Sequence, residues 1–311
     1  MTATVRLHPQ AAAHLAAGVD APGIASMTVA QARAAGLGYL TLQRPAPAMA
    51  HVEHRFIPGP TADLPVRILR PRLAVEPQPA VVVLHGSGWV ICNLDVVDEP
   101  ARVLAGDTGF VVVTVNYQKA PEHRFPVPLD DSVAAIRWVH DNAELLGIDP
   151  SRIGVVGDSA GGNLAAAATA ELVAAGIPVA AQALLYPALD QRRASASYAD
   201  FAHGFGLDAE DMAWFWGHYV DDADGADPRV SPLRARGLDH LPPTYLATAG
   251  CDVLRDEGET YAARLADAGV PVTSRRYDGM IHGFWWMDAV LDDARTLQLD
   301  LASFLRTQLL A

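Results

Sequence analysis

The sequence contains little cysteine, little lysine and no long apolar run. Two cysteines, Cys92 and Cys251, are too few for a disulfide framework, and so low a number is typical of a reducing compartment. Lys119 is the only lysine, and 23 basic against 36 acidic residues give a net charge of −13. Because nucleic acids and anionic membranes select basic surfaces, this charge predicts no nucleic-acid partner.

The chain also lacks the signals of export and of membrane insertion. Residues 1–19 show no basic leader followed by an apolar run, and no cleavage site. No apolar stretch approaches the roughly 20 residues that a membrane-spanning helix needs. We therefore expect a cytoplasmic protein without stable membrane insertion, and its 311 residues predict one large domain or a domain with a lid.

From residue 80 onward, the sequence alternates between short apolar strands and helices. Continuous Val, Ile and Leu runs separated by helices predict an α/β fold, with a mainly parallel sheet covered on both faces. Two earlier segments of alternating polarity predict an antiparallel hairpin. The eight predicted strands cover 52–57, 64–70, 80–84, 110–116, 153–156, 181–186, 245–249 and 272–277, and the main helices cover 99–107, 129–146, 164–175, 257–268 and 288–305.

The segment 187–232 interrupts this alternation. It has a helix-like core at 208–220, several aromatic residues and no convincing buried strand. One interpretation is an amphipathic helix whose aromatic face packs on the core. The other is a lid, because the insertion comes after the strand that follows the motif described next.

The most informative motif is Gly157-Asp158-Ser159-Ala160-Gly161, between a short buried strand and an Ala-rich helix. A strand, a Gly-x-Ser-x-Gly turn and a helix together form a nucleophile elbow, in which a strained serine is lifted out of the sheet edge. Glycines flank the serine because side chains there would collide with the neighbouring strand and helix. The alternative is a glycine-rich turn in which Ser159 only caps the helix.

A serine nucleophile needs a base, which in this fold class follows it along the chain on a loop after a later strand. Four histidines lie downstream of Ser159. His203 and His218 fall within the insertion, and His240 precedes a strand instead of following one. His282 follows the last predicted strand, and its position predicts that it is the base.

Asp252 is the first carboxylate after the seventh predicted strand, and we expect it to orient His282. Asp256 and Glu257 are better placed to open the next helix, where carboxylates suit the helix dipole. Asp278, four residues before His282, is the rival acid. A carboxylate on the same loop rarely reaches the far side of the imidazole ring.

Acyl transfer also needs backbone N–H donors for the developing oxyanion. The third predicted strand runs into His85-Gly86-Ser87-Gly88-Trp89, close to the His-Gly-Gly-Gly loop that supplies such donors. The N–H of Ala160, directly after Ser159, is predicted as a second donor. A glycine-rich turn between strand and helix is the alternative interpretation of this loop.

These motifs resemble those of the bacterial hormone-sensitive-lipase-like esterases, also called family IV, within the α/β-hydrolases. The similarity runs over nearly the whole chain and includes, besides the runs 85–89 and 157–163, the segments 117–122, 252–258 and 282–284. It implies Ser159 as nucleophile, His282 as base and Asp252 as orienting acid. It also implies N–H donors from Ser87, Gly88 and Ala160, in a loop supported by His85 and Gly86.

The same resemblance implies an architecture and a set of partners. A helical cap would be built from residues 1–48 and 188–232, over an α/β-hydrolase catalytic domain of residues 49–187 and 233–311. Neither a metal nor an organic cofactor is implied. Because family members often dimerise, a homodimer is a further expectation.

Two positions depart from the family pattern, which usually has glycine at Ser87 and often proline at Val253. If residue 87 needs a left-handed backbone, serine would cost about 1 kcal/mol there. We also expect the Ser87 hydroxyl to narrow the pocket or to hydrogen-bond the substrate oxygen, and Val253 to loosen the acid loop. The side chains expected to line the pocket are Trp89, Phe205, Trp214, Val253 and Trp285.

The sequence therefore predicts a serine carboxylesterase that acts on small-molecule esters with short to medium acyl chains. Amidase or lactonase chemistry uses the same three side chains and stays open. A non-catalytic ligand-binding homologue is expected to have lost His282, and a dehalogenase would have aspartate in place of Ser159. The acidic run 221–227 lacks the ligand spacing of a calcium loop, so no metal is predicted.

Overall fold

An eight-stranded sheet forms the centre of the molecule in the computed structural model, which describes residues 6–18 and 22–311. Of the predicted cap segment 1–48, residues 1–5 and 19–21 lie outside the described residues. The strand order is β1-β2-β4-β3-β5-β6-β7-β8, which confirms the prediction of eight strands. The strands are β1 His51–Ile57, β2 Leu64–Arg70, β3 Gln78–Leu84, β4 Val111–Val115, β5 Ile148–Asp158, β6 Ala181–Leu185, β7 Thr244–Cys251 and β8 Val272–Ile281.

The strand pairing confirms a mainly parallel sheet that begins with a hairpin. β1 pairs antiparallel with β2, and β2 pairs antiparallel with β4. All further neighbours, from β4 across to β8, are parallel. Every residue of β3 and β4 is buried, as expected for strands that are covered on both faces. The carboxyl ends of β3, β5, β7 and β8 consequently lie along one edge of the sheet.

Helices cover both faces of the sheet. α3 packs against α10, and α4 packs against α6, so each face carries a pair of helices in mutual contact. Within the described residues, no helix combines the length and the hydropathy that crossing a membrane would need. The helices are α1 Pro9–Ala17, α2 Val29–Gly36, α3 Asp98–Thr108, α4 Val127–Asp141, α5 Ala143–Leu146, α6 Ala160–Ala174, α7 Ser197–Asp200, α8 Ala209–Tyr219, α9 Arg255–Asp267 and α10 Asp292–Leu309.

Three helices differ from the sequence prediction by four or more residues at one or both ends. The last helix, predicted at 288–305, runs from Asp292 to Leu309, because the chain first forms a 3₁₀ turn over Phe284–Trp286 and is extended at Leu291. α6 begins at Ala160, four residues earlier than predicted, because Gly161 and Gly162 are helical instead of forming part of the turn. The long helix predicted at 129–146 is divided in two, because α4 ends at Asp141 and the short α5 begins after Asn142. The Asn142 side chain donates to the carbonyl oxygen of Trp138 at 2.9 Å, which satisfies a terminal carbonyl group and ends α4.

The N-terminal helices and the insertion that carries α8 are tied to the sheet and to each other. Arg33 of α2 forms a two-pronged ion pair with Glu122, at 2.8 and 2.6 Å, and donates to the carbonyl oxygen of Ala120 at 3.1 Å. The backbone N–H of Ala25 donates to Oδ1 of Asp211 in α8 at 2.8 Å. These contacts hold both segments over the carboxyl edge of the sheet.

Glu99, in the first turn of α3, is a buried carboxyl group without a hydrogen-bond partner in the described part of the chain. Only 4% of this residue is exposed. Burial, together with the nearby Asp288 carboxylate, raises the pKa of Glu99 to about 8, although Arg295 and Arg44 act in the opposite direction. A carboxyl group with a raised pKa in the folded state favours folding while it is protonated, and that contribution is lost as the pH rises.

We predict that Glu99→Gln, which removes this titration, becomes more stable relative to the native chain between about pH 5 and pH 8. The relative gain in the free energy of unfolding should exceed about 1 kcal/mol over that range. Urea unfolding of both chains at each pH measures it. Glu76→Gln, which alters an exposed carboxylate, is the control and should follow the native chain. Parallel pH profiles for Glu99→Gln and the native chain would contradict the prediction.

Candidate active site

Ser159 lies on a sharp turn between β5 and α6, in the left-handed half of backbone conformational space. Its φ of 54° and ψ of −120° are unusual for a residue with a side chain. A Cβ atom built on Gly157 would overlap the carbonyl oxygen of Gly161, and one built on Gly161 would overlap the carbonyl oxygen of Leu84. The two glycines are therefore required by close backbone approach, and the turn projects the Ser159 hydroxyl beyond the sheet edge.

Three side chains from different strand ends form one chain of hydrogen bonds. Nε2 of His282 lies 2.8 Å from Oγ of Ser159, and Nδ1 of His282 lies 2.8 Å from Oδ2 of Asp252. Asp252 follows β7 and His282 follows β8. The other carboxylate oxygen of Asp252 accepts the N–H of Leu254 at 2.9 Å, which fixes the orientation of the carboxylate. The structure thus brings together the three residues that the sequence analysis selected.

The rival acids and bases lie elsewhere. β8 continues to Ile281, so Asp278 is an exposed strand residue and not part of the loop that carries His282. Asp256 and Glu257 lie in the first turn of α9, as expected. Among the described histidines, His282 alone bonds to both Ser159 and Asp252; the other downstream histidines are His203, His218 and His240.

In the loop after β3, some backbone N–H groups donate to side chains of the protein, and two others have no such partner. The N–H of Gly86 donates to Oδ1 of Asp158 at 2.6 Å, and the N–H of Trp89 donates to Oγ of Ser87 at 2.9 Å. Between them, the N–H groups of Ser87 and Gly88 donate to no group in the described part of the chain. The N–H of Ala160 is a third donor, because it opens α6 and has no partner within that helix.

The backbone at Ser87 is free of the strain that a left-handed conformation would impose on a serine. Ser87 is not in the left-handed region, whereas the next two residues, Gly88 and Trp89, are, with φ of 53° and 60°. At position 88 this conformation falls on a glycine, which adopts it at little cost. The change from glycine to serine at position 87 leaves the donor N–H in place without backbone strain.

Asp158 is a site residue that the sequence analysis did not single out. Its carboxylate lies between the elbow and the oxyanion loop, and a Cβ atom built on Gly86 would overlap it. Burial raises the pKa of Asp158 to about 7, although the hydrogen bond from Gly86 and the nearby His282 lower it. An acidic side chain at the end of a buried strand was the available signal, because such a group needs a specific partner.

A cavity of about 680 Å³ opens onto the Ser159 hydroxyl. Ser87, Gly88, Ala160 and His282 all border it, so the nucleophile, the imidazole and the three free N–H groups face one space. Its other walls come from the segments above the sheet edge and from the loop after β8. The main apolar side chains there are Leu15, Ile24, Leu42, Ile91, Leu207, Met212, Phe215, Ile281, Trp286 and Met287.

Comparison with known proteins finds relatives that are ester hydrolases of the α/β-hydrolase fold. A family model described as alpha/beta hydrolase fold matches residues 81–286. The carboxylic ester hydrolase LipN of Mycobacterium tuberculosis is 40% identical over 73% of this chain, and the match spans 62% of that relative. The ethyl acetate hydrolase of Pseudomonas putida is 38% identical over 74% of each chain. A solved structure of an ester hydrolase from the metagenome of Lake Arreo superimposes with a TM-score of 0.93, at 37% identity, over 97% of this chain and 98% of that one.

The chain belongs to the hormone-sensitive-lipase-like esterases of the α/β-hydrolase fold. It is an enzyme of the carboxylic ester hydrolase class. The family resemblance inferred from the sequence motifs is thereby confirmed.

The pocket of this esterase is lined differently from the sequence expectation. Trp89 lines the cavity, but Phe205, Trp214, Val253 and Trp285 are not among the described residues that border it. Val253 and Trp285 are fully buried behind the site. Phe205 and Trp214 pack instead against aromatic neighbours in the insertion, which are Phe201 at 5.0 Å and His218 at 4.2 Å between ring centroids.

Helical periodicity identifies the buried face of α8, but it does not say which residues of that face line the pocket. In α8 the buried apolar positions are Met212, Phe215, Trp216 and Tyr219, which share one face, and Trp214 lies on its flank. The ring of Phe215 packs directly on Gly88, where any Cβ atom would overlap it. Phe215, and not the adjacent Trp214, is therefore the aromatic residue of α8 that faces the oxyanion loop.

No lysine or arginine borders the cavity in the described part of the chain, and its acids are Asp158 and Asp211. Cys92 also borders it, but burial raises the pKa of this thiol to about 12. Both cysteines are free, and burial likewise raises the pKa of Cys251 to about 11. Within the described residues, no three His, Cys, Asp or Glu side chains are grouped to hold a metal ion.

We predict that Gly161→Ala abolishes activity and lowers stability by more than about 2 kcal/mol, because its methyl group would overlap the backbone oxygen of Leu84. Ester hydrolysis and thermal unfolding measure the two effects. Gly106→Ala, within α3, meets no atom and is the matched control. It should keep full activity and gain about 0.5–1 kcal/mol. A Gly161→Ala enzyme with native activity would contradict the account of the elbow.

Proposed function

We propose that this enzyme hydrolyses esters with short to medium acyl chains through an acyl-enzyme on Ser159, with His282 and Asp252 completing a catalytic triad. The observation that carries the proposal is the hydrogen-bonded series from Ser159 through His282 to Asp252, next to three backbone N–H groups without a partner in the described part of the chain. A serine hydroxyl is a weak nucleophile unless a base takes its proton as it attacks. His282 is within hydrogen-bonding distance of that proton.

In the first half-reaction, Oγ of Ser159 attacks the acyl carbon while its proton passes to Nε2 of His282. The carbonyl oxygen becomes an oxyanion and accepts hydrogen bonds from the N–H groups of Ser87, Gly88 and Ala160. The Asp252 carboxylate accepts a hydrogen bond from Nδ1–H of His282 and stabilises the imidazolium, without taking the proton. His282 then gives its proton to the departing alkoxide, and the alcohol leaves an ester on Ser159.

In the second half-reaction, water replaces the alcohol. His282 takes a proton from the water as the remaining hydroxide adds to the acyl carbon, and the same three N–H groups receive the second oxyanion. When the intermediate collapses, Ser159 regains its proton from His282 and the carboxylic acid is released. The sum of the two steps is ester plus water giving acid plus alcohol, and the enzyme returns to its starting state.

The size and polarity of the cavity support short to medium, uncharged acyl chains. A volume of about 680 Å³ is within the range of small-molecule sites, and residues of the N-terminal segment and of α8 form part of its wall. We propose that residues 1–48 and 188–232 act as a cap over the catalytic domain. The predominantly apolar wall favours aliphatic chains, and the absence of lysine and arginine among its described residues disfavours anionic substrates. The two free thiols support a cytoplasmic location.

We predict that Ser159→Ala lowers the rate of hydrolysis of p-nitrophenyl butyrate by more than about 10⁴-fold, because no acyl-enzyme can form. Ser303→Ala, on the exposed side of α10, removes a serine far from the site and should retain the native rate. Chains from acetate to palmitate should show a maximum at short to medium length. A Ser159→Ala enzyme with native activity would reject Ser159 as the nucleophile. A preference for the corresponding anilides over esters would favour an amidase.

We predict that Phe215→Ala shifts the acyl-chain optimum to longer chains, because removal of the ring enlarges the cavity beside Gly88. A change in kcat/KM of about tenfold between butyrate and decanoate is expected, equal to about 1.4 kcal/mol in relative transition-state binding. Trp214→Ala is the matched control, since Trp214 is the adjacent aromatic residue and lies outside the cavity wall. The same shift in both variants would show that loosening of α8, and not cavity shape, sets the chain-length preference.

A further inference from the structure

The Ser87 hydroxyl is engaged by two protein groups. Its Oγ accepts the backbone N–H of Trp89 at 2.9 Å and lies 2.5 Å from the hydroxyl oxygen of Tyr117. The Tyr117 hydroxyl in turn lies 2.6 Å from the carbonyl oxygen of His85. Ser87 and Tyr117 are 5% and 1% exposed, so water does not compete freely for these bonds.

The chemistry of these groups decides which atom donates and which accepts in each of these hydrogen bonds. A carbonyl oxygen can only accept, so the one proton of the Tyr117 hydroxyl is donated to His85. The bond between the two hydroxyls must then use the proton of Ser87. Burial raises the pKa of Tyr117 far above its ordinary value, which keeps the phenol protonated as a donor. No proton of Ser87 Oγ remains for a substrate oxygen.

We propose that Ser87 is a positioning residue, whose hydroxyl links Trp89 to Tyr117 and thereby holds the N–H groups of Ser87 and Gly88 in place for the oxyanion. The inference rests on the proposed function of these two N–H groups. It replaces the expectation that the hydroxyl contacts the substrate.

The loop needs such a link because of its backbone conformation. Gly88 and Trp89 are consecutive residues with positive φ, 53° and 60°, and Trp89 has a side chain that disfavours this conformation. The Ser87 hydroxyl accepts the N–H of Trp89 and so stabilises the turn from within. A glycine at position 87 would leave that N–H without this acceptor.

Tyr117, at the end of this series of hydrogen bonds, is held rigidly enough to act as an anchor. The Tyr117 ring stacks on the His85 ring, with centroids 4.8 Å apart and planes inclined by 18°. The ammonium group of Lys119 donates to the carbonyl oxygen of Tyr117 at 3.0 Å and lies 4.9 Å from its ring centroid. Tyr117 directly follows the parallel core, two residues after β4 ends. The oxyanion loop is thus tied across from β3 to the neighbouring strand.

The test compares Ser87→Ala, Tyr117→Phe and the double variant in hydrolysis of p-nitrophenyl esters. Each single variant should lower kcat by about tenfold, with KM within about twofold, because only transition-state binding is affected. The loss should be equal for every acyl chain length. The double variant should be no slower than either single one, since all three break the same chain.

Two controls and one readout separate positioning from general damage. Ser132→Ala and Tyr245→Phe each remove a buried hydroxyl with a hydrogen bond elsewhere in the fold, and both should keep the native kcat. Hydrogen exchange does not depend on activity: the Trp89 amide should exchange faster in Ser87→Ala and in Tyr117→Phe than in the native chain. The rate of ester hydrolysis by the native enzyme tests the proposed function. The ratio of variant to native kcat, together with the amide exchange, tests the role of Ser87.

Four results would overturn the inference. Native kcat in both single variants would show that the link is not needed. Losses that multiply in the double variant would show that Ser87 and Tyr117 act independently. A changed acyl-chain preference in Ser87→Ala, without the same change in Tyr117→Phe, would place the hydroxyl against the substrate. Unchanged exchange of the Trp89 amide would reject the link even if ester hydrolysis were absent.

Discussion

Close approach of three backbone segments at the end of β5 fixes the position of Ser159. Gly157 and Gly161 leave no room for side chains, and the chain can turn into α6 there only with Ser159 in a left-handed conformation. Such a conformation costs on the order of 1–3 kcal/mol, which the burial of β5 and α6 offsets. The same turn presents the Ser159 hydroxyl and the Ala160 N–H on the cavity side. The remaining groups of the site are arranged around these two.

The polar groups around the turn are nearly all committed to protein partners, which leaves a small reactive set. Asp252 holds His282 on one side of Ser159, and on the other side the oxyanion loop is bonded to Asp158 and Tyr117. Among the backbone N–H groups from Gly86 to Trp89, those of residues 87 and 88 stay unpaired in the described part of the chain. Because the wall above them is mostly apolar, an oxyanion formed there would meet fixed donors and little water.

The sequence was sufficient to predict the parallel sheet and which three side chains meet, because both follow from chain order. Buried Val-rich strands mark the sheet, and the loops after β7 and β8 carry Asp252 and His282 to the same edge as Ser159. Their catalytic roles stay predictions. The pocket wall could not be read in the same way, since it depends on which side of a helix faces the site. A shift of one residue along α8 separates Phe215 from Trp214, and only tertiary packing decides between them.

The most direct test of the central claim is a crystal structure of the enzyme after reaction with a p-nitrophenyl alkylphosphonate, which mimics the tetrahedral intermediate. The account predicts one phosphonyl group, covalently attached to Oγ of Ser159. One of its oxygens should lie at about 2.7–3.1 Å from the backbone nitrogens of Ser87, Gly88 and Ala160. Attachment to another residue, or a phosphonyl oxygen turned away from those three nitrogens, would contradict it.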